Sequence, residues 1–247
     1  MTATELHVLS TVEELAQAAV LFIVELAREH IQAQERFTIA LSGGSTPRRL
    51  YRILASPEYA QRIAWERWHV FWSDERCVPP DHTNSNYRMA RETLLDSVPV
   101  LPHQVHRIRG EAVPQEEAEG YERGLLQFFQ PSEPALDLVL LGMGEDGHTA
   151  SLFPGTDALR EERRLVVANR LPHLNTHRIT FTLPLINMAK AVAFLVSGAP
   201  KAQVLRQVVE PVPGEHPLPA GLVRPGSGRT HWFLDRDAAG RLEKVSA

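Results

Sequence analysis

The sequence has very little cysteine, no long apolar run and no excess of basic residues. Its single cysteine, Cys77, excludes an intramolecular disulfide and is typical of a reducing compartment. No apolar run approaches the roughly 18 residues of a membrane-spanning helix, and the first residues lack the basic region of a signal peptide. Lys and Arg number 26 against 30 Asp and Glu, unlike a nucleic-acid-binding protein. We therefore expect a soluble, cytoplasmic protein that binds neither membranes nor nucleic acid.

The chain does have enough apolar residues for a large core, since 43% of its 247 residues are hydrophobic. Strands are predicted at 37–41, 68–72, 138–141, 165–168, 179–182, 192–196 and 230–234. Helices are predicted after Thr11, near Pro47, at 85–95, and after the strands ending at 141 and 196. This alternation predicts an α/β fold with a mainly parallel sheet, in a single domain over 1–247. The proline-rich stretch 211–225 is interpreted as a surface excursion.

The most informative segment follows the apolar run 137–141. Gly142 and Gly144 end this run, and Asp146 and His148 come directly afterwards. Ligands bind at the carboxyl ends of parallel strands, and glycines allow close approach of a backbone. A carboxylate and an imidazole two residues apart can do acid/base chemistry. A glycine-rich turn is also common scaffold, so this segment alone leaves catalysis and a structural role both open.

A second glycine-rich loop follows the strand at 37–41. Gly43, Gly44, Ser45 and Thr46 offer backbone N–H groups and hydroxyls at the start of a helix, where the helix dipole favours an anion. The Gly-Lys-Ser/Thr sequence of a nucleotide-triphosphate loop does not follow, which favours a sugar phosphate as the ligand. An ordinary capped turn is the alternative.

Charged residues stand at further strand ends. Asp74 and Arg76 follow the strand at 68–72, where a solvated loop is the alternative to a functional role. Arg178 lies at the start of a strand and Lys201 opens a helix. A lysine at a helix amino terminus is unfavourable for the dipole unless an anion binds beside it. Both cations are therefore candidate partners of a phosphate.

Four blocks of sequence resemble the 6-phosphogluconolactonase family in order and character. They are SGGSTPRRLY, WSDERCVPPDHTNSNYRMARETLL, LGMGEDGHTASLFPG, and RITFTLPLIN with VSGAPKA, between about Leu41 and Ala202. The resemblance implies a three-layer, Rossmann-like α/β fold with helices on both faces, similar to glucosamine-6-phosphate deaminase. It also implies hydrolysis of the δ-lactone of 6-phosphogluconate in the oxidative pentose phosphate pathway. We expect no cofactor and no metal, because no motif supplies three or four ligands at a recognised spacing.

The resemblance also implies roles for individual residues. The family's catalytic histidine falls on His148 and its neighbouring aspartate on Asp146. Its anion-binding groups fall on Gly43, Gly44, Ser45, Thr46, Arg178 and Lys201. The expected mechanism is attack of water on the lactone carbonyl, with neutral His148 as the general base. Arg76 and the N–H groups near Gly142 to Gly144 are candidate donors to the carbonyl oxygen. Asp74 is a candidate to hold either Arg76 or a sugar hydroxyl.

Two rival functions remain on the same fold. A glucosamine-6-phosphate deaminase typically reads DGHIxFNEP, with a glutamate before the proline that assists ring opening, whereas this chain has Phe153 there. A non-enzymatic sugar-phosphate sensor usually carries a DNA-binding helix-turn-helix segment, for which the stretch before the strand at 37–41 is too short. We expect a small-molecule substrate as the partner, and a monomer or small homo-oligomer.

Overall fold

The computed structural model describes residues 4–212, 214, 216–226 and 228–243, with only the backbone of His173. The strands are β1 Thr4–Leu9, β2 Phe37–Leu41, β3 Trp68–Trp72, β4 Asp74–Arg76, β5 Leu138–Leu141, β6 Val166–Leu171, β7 Thr176–Phe181, β8 Ala191–Val196 and β9 Arg229–Asp235. The α-helices are α1 Val12–Gln34, α2 Ser45–Leu54, α3 Pro57–Ala60, α4 Asn86–Thr93, α5 Pro114–Phe129, α6 Leu183–Asn187, α7 Ala202–Val209 and α8 Arg236–Ala239. None of the helices in these ranges is long and apolar enough to cross a membrane.

The main sheet is parallel throughout, with the strand order β1-β9-β8-β5-β2-β3. Every residue of β2, β5 and β8 is buried, as expected for central strands that are covered on both faces and therefore contain continuous apolar runs. The predicted α/β fold with a mainly parallel sheet is confirmed.

The order of the strands fixes where a ligand site can lie. β2 is followed along the chain by β3 on one side, whereas β5 lies on the other side of β2 and leads to β8 and β9. The loops that leave the carboxyl ends of β2 and β5 therefore diverge and open a crevice. Both glycine-rich loops of the sequence begin there, at Ser42 and Gly142.

Helices cover both faces of the sheet. On one face α1 contacts β9, with the Phe22 ring 4.4 Å from the ring of His231 and 5.5 Å from that of Phe233. Side chains alternate between faces along a strand, so Trp232 points to the opposite face. There it lines a groove with Val208 of α7. The chain thus has the three-layer arrangement that its family resemblance implies.

A second, antiparallel sheet has the order β4-β7-β6 and was not predicted. Asp74 and Arg76, for which a solvated loop was one of two alternatives, lie in the strand β4, where Arg76 is opposite Arg178 of β7. The strands predicted at 165–168 and 179–182 lie at 166–171 and 176–181, and they pair with each other in this sheet. This sheet forms because β4 leaves the parallel sheet directly after β3 and pairs with a distant segment.

Other differences concern elements whose patterns are weak or interrupted. β1 and α5 were not predicted. A helix was expected directly after β5, but the structure describes residues 142–156 and they contain no helix. Residues 142–156 form turns instead, in which Gly147 has a φ of +77° and Ala150 a φ of +47°. A helix cannot pass through such left-handed positions. The loop after β5 consequently keeps a non-helical shape.

The buried Asp137 carboxylate fixes the start of β5 against its neighbours. Its Oδ2 accepts hydrogen bonds from the Thr38 N–H and hydroxyl, both at 2.8 Å. Its Oδ1 accepts a hydrogen bond from Lys190 Nζ at 2.8 Å. These contacts connect β2, the start of β5 and the residue before β8 at the end of the sheet opposite the crevice.

Candidate active site

The loops after β2 and β5 enclose a cleft of about 210 Å³. The predicted site residues that line it are Gly43, Gly44, Asp74, Arg76, His148 and Lys201. Gly142 and Gly144 line it as well. These residues come from four separate parts of the chain, and the crossovers of the sheet bring them together at one sheet edge.

The predicted acid/base pair is formed in the loop after β5. Asp146 Oδ1 lies 2.5 Å from His148 Nδ1 and accepts a second hydrogen bond, at 3.1 Å, from the backbone N–H of His148. Because a carboxylate accepts hydrogen bonds, the ring carries its proton on Nδ1 and presents a lone pair on Nε2. The pair therefore has the arrangement of an oriented general base.

Gly144 is what allows the pair to form. A Cβ atom at this position would lie 2.1 Å from His148 Nδ1 and 2.5 Å from Asp146 Oδ1, far closer than any real contact. Its N–H donates to the His148 carbonyl at 2.8 Å, which closes the loop. This N–H is thus already used, and the predicted donors that remain for a carbonyl oxygen are Arg76 and the N–H groups of Gly142 and Met143.

The His148 ring is also held by a stacking contact. The Phe153 ring lies 4.1 Å from it at an interplanar angle of 25°. The apolar residue that stands where deaminases carry a glutamate thus packs directly on the candidate base. Contact with Phe153 and the hydrogen bond to Asp146 together restrict the ring to one orientation.

The pKa of the Asp146 carboxyl reflects this pairing. Partial burial raises the pKa, but the hydrogen bonds from the backbone N–H and the ring of His148 outweigh burial and hold the pKa below its ordinary value. The carboxylate is therefore ionised wherever the pair is to act as a base, and it favours a positive charge on the ring as the ring takes up a proton.

The opposite wall of the cleft is suited to an anion. Gly44, with a φ of +114°, is the N-cap of α2, and Ser45 is its first residue. Lys201 lies on the same cleft, directly before α7. A neighbouring recess of about 350 Å³ shares Gly44 and Arg76 with the cleft and adds Arg48, a cation that sequence reasoning missed. The helix terminus and these cations supply the donors that a phosphate needs.

Two predicted anion-binding residues lie elsewhere around the cleft. The Thr46 hydroxyl is buried and hydrogen-bonds the Ser197 hydroxyl at 2.8 Å, which connects the loop after β2 to the loop after β8. Arg178 is half-buried opposite Arg76, and burial, with the positive charge of Arg76, lowers its pKa. Two guanidinium groups this close repel each other, so this region favours a bound anion.

Asp74 belongs to a buried hydrogen-bond network. Its Oδ2 accepts from the Ser151 hydroxyl at 2.6 Å and its Oδ1 from Asn86 Nδ2 at 3.1 Å. Arg76, which with a sugar hydroxyl was one of two predicted partners of Asp74, donates to the Asn84 carbonyl at 2.6 Å. Asn86 also packs on Gly43, where a Cβ would lie 1.9 Å from its Oδ1. Asp74 thereby joins the loops after β2 and β5 to α4.

The sequence also contains no indication that the proline-rich stretch packs against the loop after β5. The proline-rich stretch, expected to be a surface excursion, packs at Leu218 against Gly147, where a Cβ would approach the Leu218 side chain to 2.8 Å. The Ala220 N–H donates to the Gly147 carbonyl at 3.0 Å. Ser151 and Asn86, by contrast, stand inside the recognised sequence blocks and could have been found there.

Comparison with known proteins identifies the family. Residues 10–232 match the family model for glucosamine-6-phosphate isomerases and 6-phosphogluconolactonase. The chain belongs to this family. A 6-phosphogluconolactonase from Synechocystis sp. is 41% identical over 97% of this chain and 99% of its own length. The structure of the 6-phosphogluconolactonase from Trypanosoma brucei has a TM-score of 0.88 and 31% identity, covering 98% of this chain and all of that one.

A more distant family member shows how widely the fold is shared. A monomeric glucosamine-6-phosphate deaminase has a TM-score of 0.80 at 23% identity, covering 96% of this chain and 99% of its own. At this identity the likeness concerns the fold, which the two activities have in common.

The depressed pKa of Asp146 gives a prediction that needs no substrate. Replacing His148 by Ala removes the ring hydrogen bond, so the pKa of Asp146 should rise towards the ordinary aspartate value of about 3.9. In the unmodified chain the pair stabilises the fold above this value and loses that contribution as the pH falls through the lower folded-state pKa. Carboxyl NMR titration of both proteins measures the shift, and an unchanged pKa would contradict the pairing.

Proposed function

We propose that this chain hydrolyses 6-phospho-D-glucono-1,5-lactone to 6-phospho-D-gluconate, the lactonase step of the oxidative pentose phosphate pathway. The observation that carries the proposal is the Asp146–His148 pair, held on one wall of a cleft whose other wall presents Lys201 and the start of α2. An acid/base pair facing an anion-binding wall suits a substrate with a reactive ester at one end and a phosphate at the other. The relatives from Synechocystis sp. and Trypanosoma brucei are both named 6-phosphogluconolactonase.

In the proposed reaction, water attacks the lactone carbonyl while His148 Nε2 takes its proton. The charge that develops on the carbonyl oxygen is stabilised by Arg76 or by the N–H groups of Gly142 and Met143. The imidazolium, stabilised by Asp146, then returns the proton to the ring oxygen as the carbon–oxygen bond breaks. The product is the open-chain acid, and no covalent intermediate or metal is needed.

The phosphate is proposed to bind between the start of α2 and the cations around it. The N–H groups that follow Gly44 point out of the helix end, and Lys201 supplies positive charge. Arg178, which lies opposite Arg76 in the pairing of β4 with β7, adds a further positive charge. Thr46, whose hydroxyl is engaged by Ser197, contributes its backbone N–H and positions the loop.

Phe153 favours the lactonase over the deaminase. Its ring packs on His148 at 4.1 Å, and it has no proton to give during opening of a sugar ring.

A single domain over 1–247, a cytoplasmic location and a monomer or small homo-oligomer stay predictions.

The function is tested by measuring two reactions on the same preparation. Freshly generated 6-phosphogluconolactone should be hydrolysed well above its spontaneous rate in an assay coupled to a dehydrogenase. Glucosamine 6-phosphate should release no ammonia. Activity in the second assay alone would make the chain a deaminase, and activity in neither would remove the proposal.

His148→Ala should fold normally and lose most of the catalysis, because a positioned general base contributes about 10²- to 10⁴-fold. Its ring is partly exposed, so little stability should be lost. The measurements are kcat/KM, corrected for spontaneous hydrolysis, and the melting temperature. A variant with near-normal kcat would show that another group is the base.

Gly144→Ala tests the geometry of the pair with a matched control. Its Cβ would overlap His148 Nδ1 and Asp146 Oδ1, so the ring or the carboxylate must move, and a displacement of about 1 Å costs on the order of 10²-fold in rate. Gly124→Ala adds the same methyl group in α5, outside the cleft, where nothing lies within 4 Å of the new Cβ. Steady-state kinetics should show a large loss of kcat for Gly144→Ala only. Equal losses would refute the steric argument.

Lys201→Ala should raise KM more than it lowers kcat, because the lysine binds a group remote from the reacting carbonyl. Loss of one charge-assisted hydrogen bond, worth about 1.5 to 3 kcal/mol, corresponds to roughly 10- to 150-fold in kcat/KM. The variant should lose much of the preference for the phosphorylated lactone over gluconolactone. Arg52→Ala, an exposed cation on the far turn of α2, is the control. Equal weakening on both lactones would contradict a role in phosphate binding.

A further inference from the structure

Three side chains of types that can bind a metal lie close together at the β1 edge of the main sheet, away from the crevice between β2 and β5. Glu5 and His7 are on β1, and His231 is on β9. Glu5 and His7 are two residues apart and therefore share one face of the strand, and Glu5 lies directly opposite His231 in the parallel register. Among the residues that the structure describes, this is the one cluster of three such side chains whose ligand atoms lie within 4.8 Å of one another.

Two of the three distances between the ligand atoms match those of a tetrahedral metal site. His7 Nε2 lies 3.4 Å from His231 Nδ1, and His231 Nδ1 lies 3.4 Å from Glu5 Oε2. His7 Nε2 and Glu5 Oε2 are 3.9 Å apart. Bonds of 2.0 to 2.2 Å in a tetrahedron place ligand atoms about 3.3 to 3.5 Å apart. Two edges of the triangle thus already fit, and a small side-chain rotation shortens the third.

The surroundings orient the three ligands. His231 is nearly fully buried and packs against Phe22, and His7 stacks on Phe233 with ring centroids 4.6 Å apart. Arg229 Nη1 lies 3.4 Å from Glu5 Oε1, so the second oxygen of the carboxylate, Oε2, is turned towards the histidines. Such outer contacts fix ligand orientation in protein metal sites. Glu5 and His7 are partly exposed, which gives an ion and a water molecule access to the site.

A hydrogen bond between the histidines explains the arrangement less well. Their nitrogen atoms are 3.4 Å apart, beyond the usual 2.7 to 3.2 Å of a hydrogen bond to nitrogen or oxygen. A direct hydrogen bond between the two rings would involve His231 Nδ1, the same atom that lies 3.4 Å from Glu5 Oε2, and would not account for the position of the carboxylate. An ion between the three atoms would contact all of them at once.

We propose that Glu5, His7 and His231 bind one Zn²⁺, with water as the fourth ligand, and that this ion fastens the edge strand β1 to β9. Two imidazoles and a carboxylate are a donor set that zinc accepts. β1 is an edge strand, and β9 is its single neighbour in the strand order. An ion bound by both strands would therefore add a second connection to the hydrogen bonds that hold β1 on the sheet. We assign the ion a structural role, since none of its three ligands lines the cleft and two strands, β8 and β5, separate β9 from the β2 side of the crevice.

The test uses the full-length, untagged protein, stripped of metal with a chelator and dialysed. Titration with Zn²⁺ should show about one ion bound per chain. The melting temperature should rise by about 5 to 10 °C when free zinc is one hundred times its Kd. Lactone hydrolysis at 25 °C should be the same with and without zinc, so the proposal stands or fails separately from the proposed function.

Variants assign the binding to these residues. His7→Ala and His231→Gln should each weaken zinc binding at least tenfold, because changes even outside the ligand shell cost about 10- to 100-fold. Both should also lose the rise in melting temperature. His103→Ala, which removes an exposed histidine elsewhere, should keep both effects. Absence of binding at 100 times the expected Kd, taken as about micromolar for three ligands, or binding that survives His7→Ala, would overturn the proposal. Because His7 is partly exposed, its variant stays informative even if His231→Gln fails to fold.

Discussion

The buried Asp74 carboxylate is the contact on which the geometry of the cleft depends. It accepts hydrogen bonds from Ser151 in the loop after β5 and from Asn86 at the start of α4, and Asn86 packs on Gly43 in the loop after β2. A buried carboxylate is stable only when such donors surround it, so each donor is needed in its place. The loop after β5, the loop after β2 and the strand that carries Arg76 are therefore held in one relative arrangement in the absence of substrate.

Sequence patterns could predict the elements whose burial is uniform. β2, β5 and β8 are buried on both faces and contain unbroken apolar runs, whereas β1 is a half-exposed edge strand that gains its structure by pairing with β9, more than 200 residues away. In α5, Gly120 and Gly124 interrupt the helical pattern, and the helix packs on β6 and β7 of a sheet that local sequence does not reveal. The pair Asp146 and His148 could be recognised from a local motif. The network of Asp74 could not, because Ser151 is 77 residues away from it.

The same reasoning separates what the fold shares from what sets the chemistry. Six parallel strands and a helix amino terminus at the crevice are suited to a sugar phosphate, and the structure of a monomeric glucosamine-6-phosphate deaminase has a similar fold. The distinction lies in what touches the imidazole. Here the imidazole of His148 contacts both the Asp146 carboxylate and the Phe153 ring, and the proposed function assigns the proton exchange to this histidine.

The opposed guanidinium groups of Arg76 and Arg178 have a practical consequence for the study of this protein. Two like charges beside a helix amino terminus attract any small oxyanion, whether or not it carries a sugar. On the proposed function, inorganic phosphate and sulfate should compete with the phosphate of the lactone for the cleft. Buffers that contain neither anion would therefore leave the cleft to the substrate.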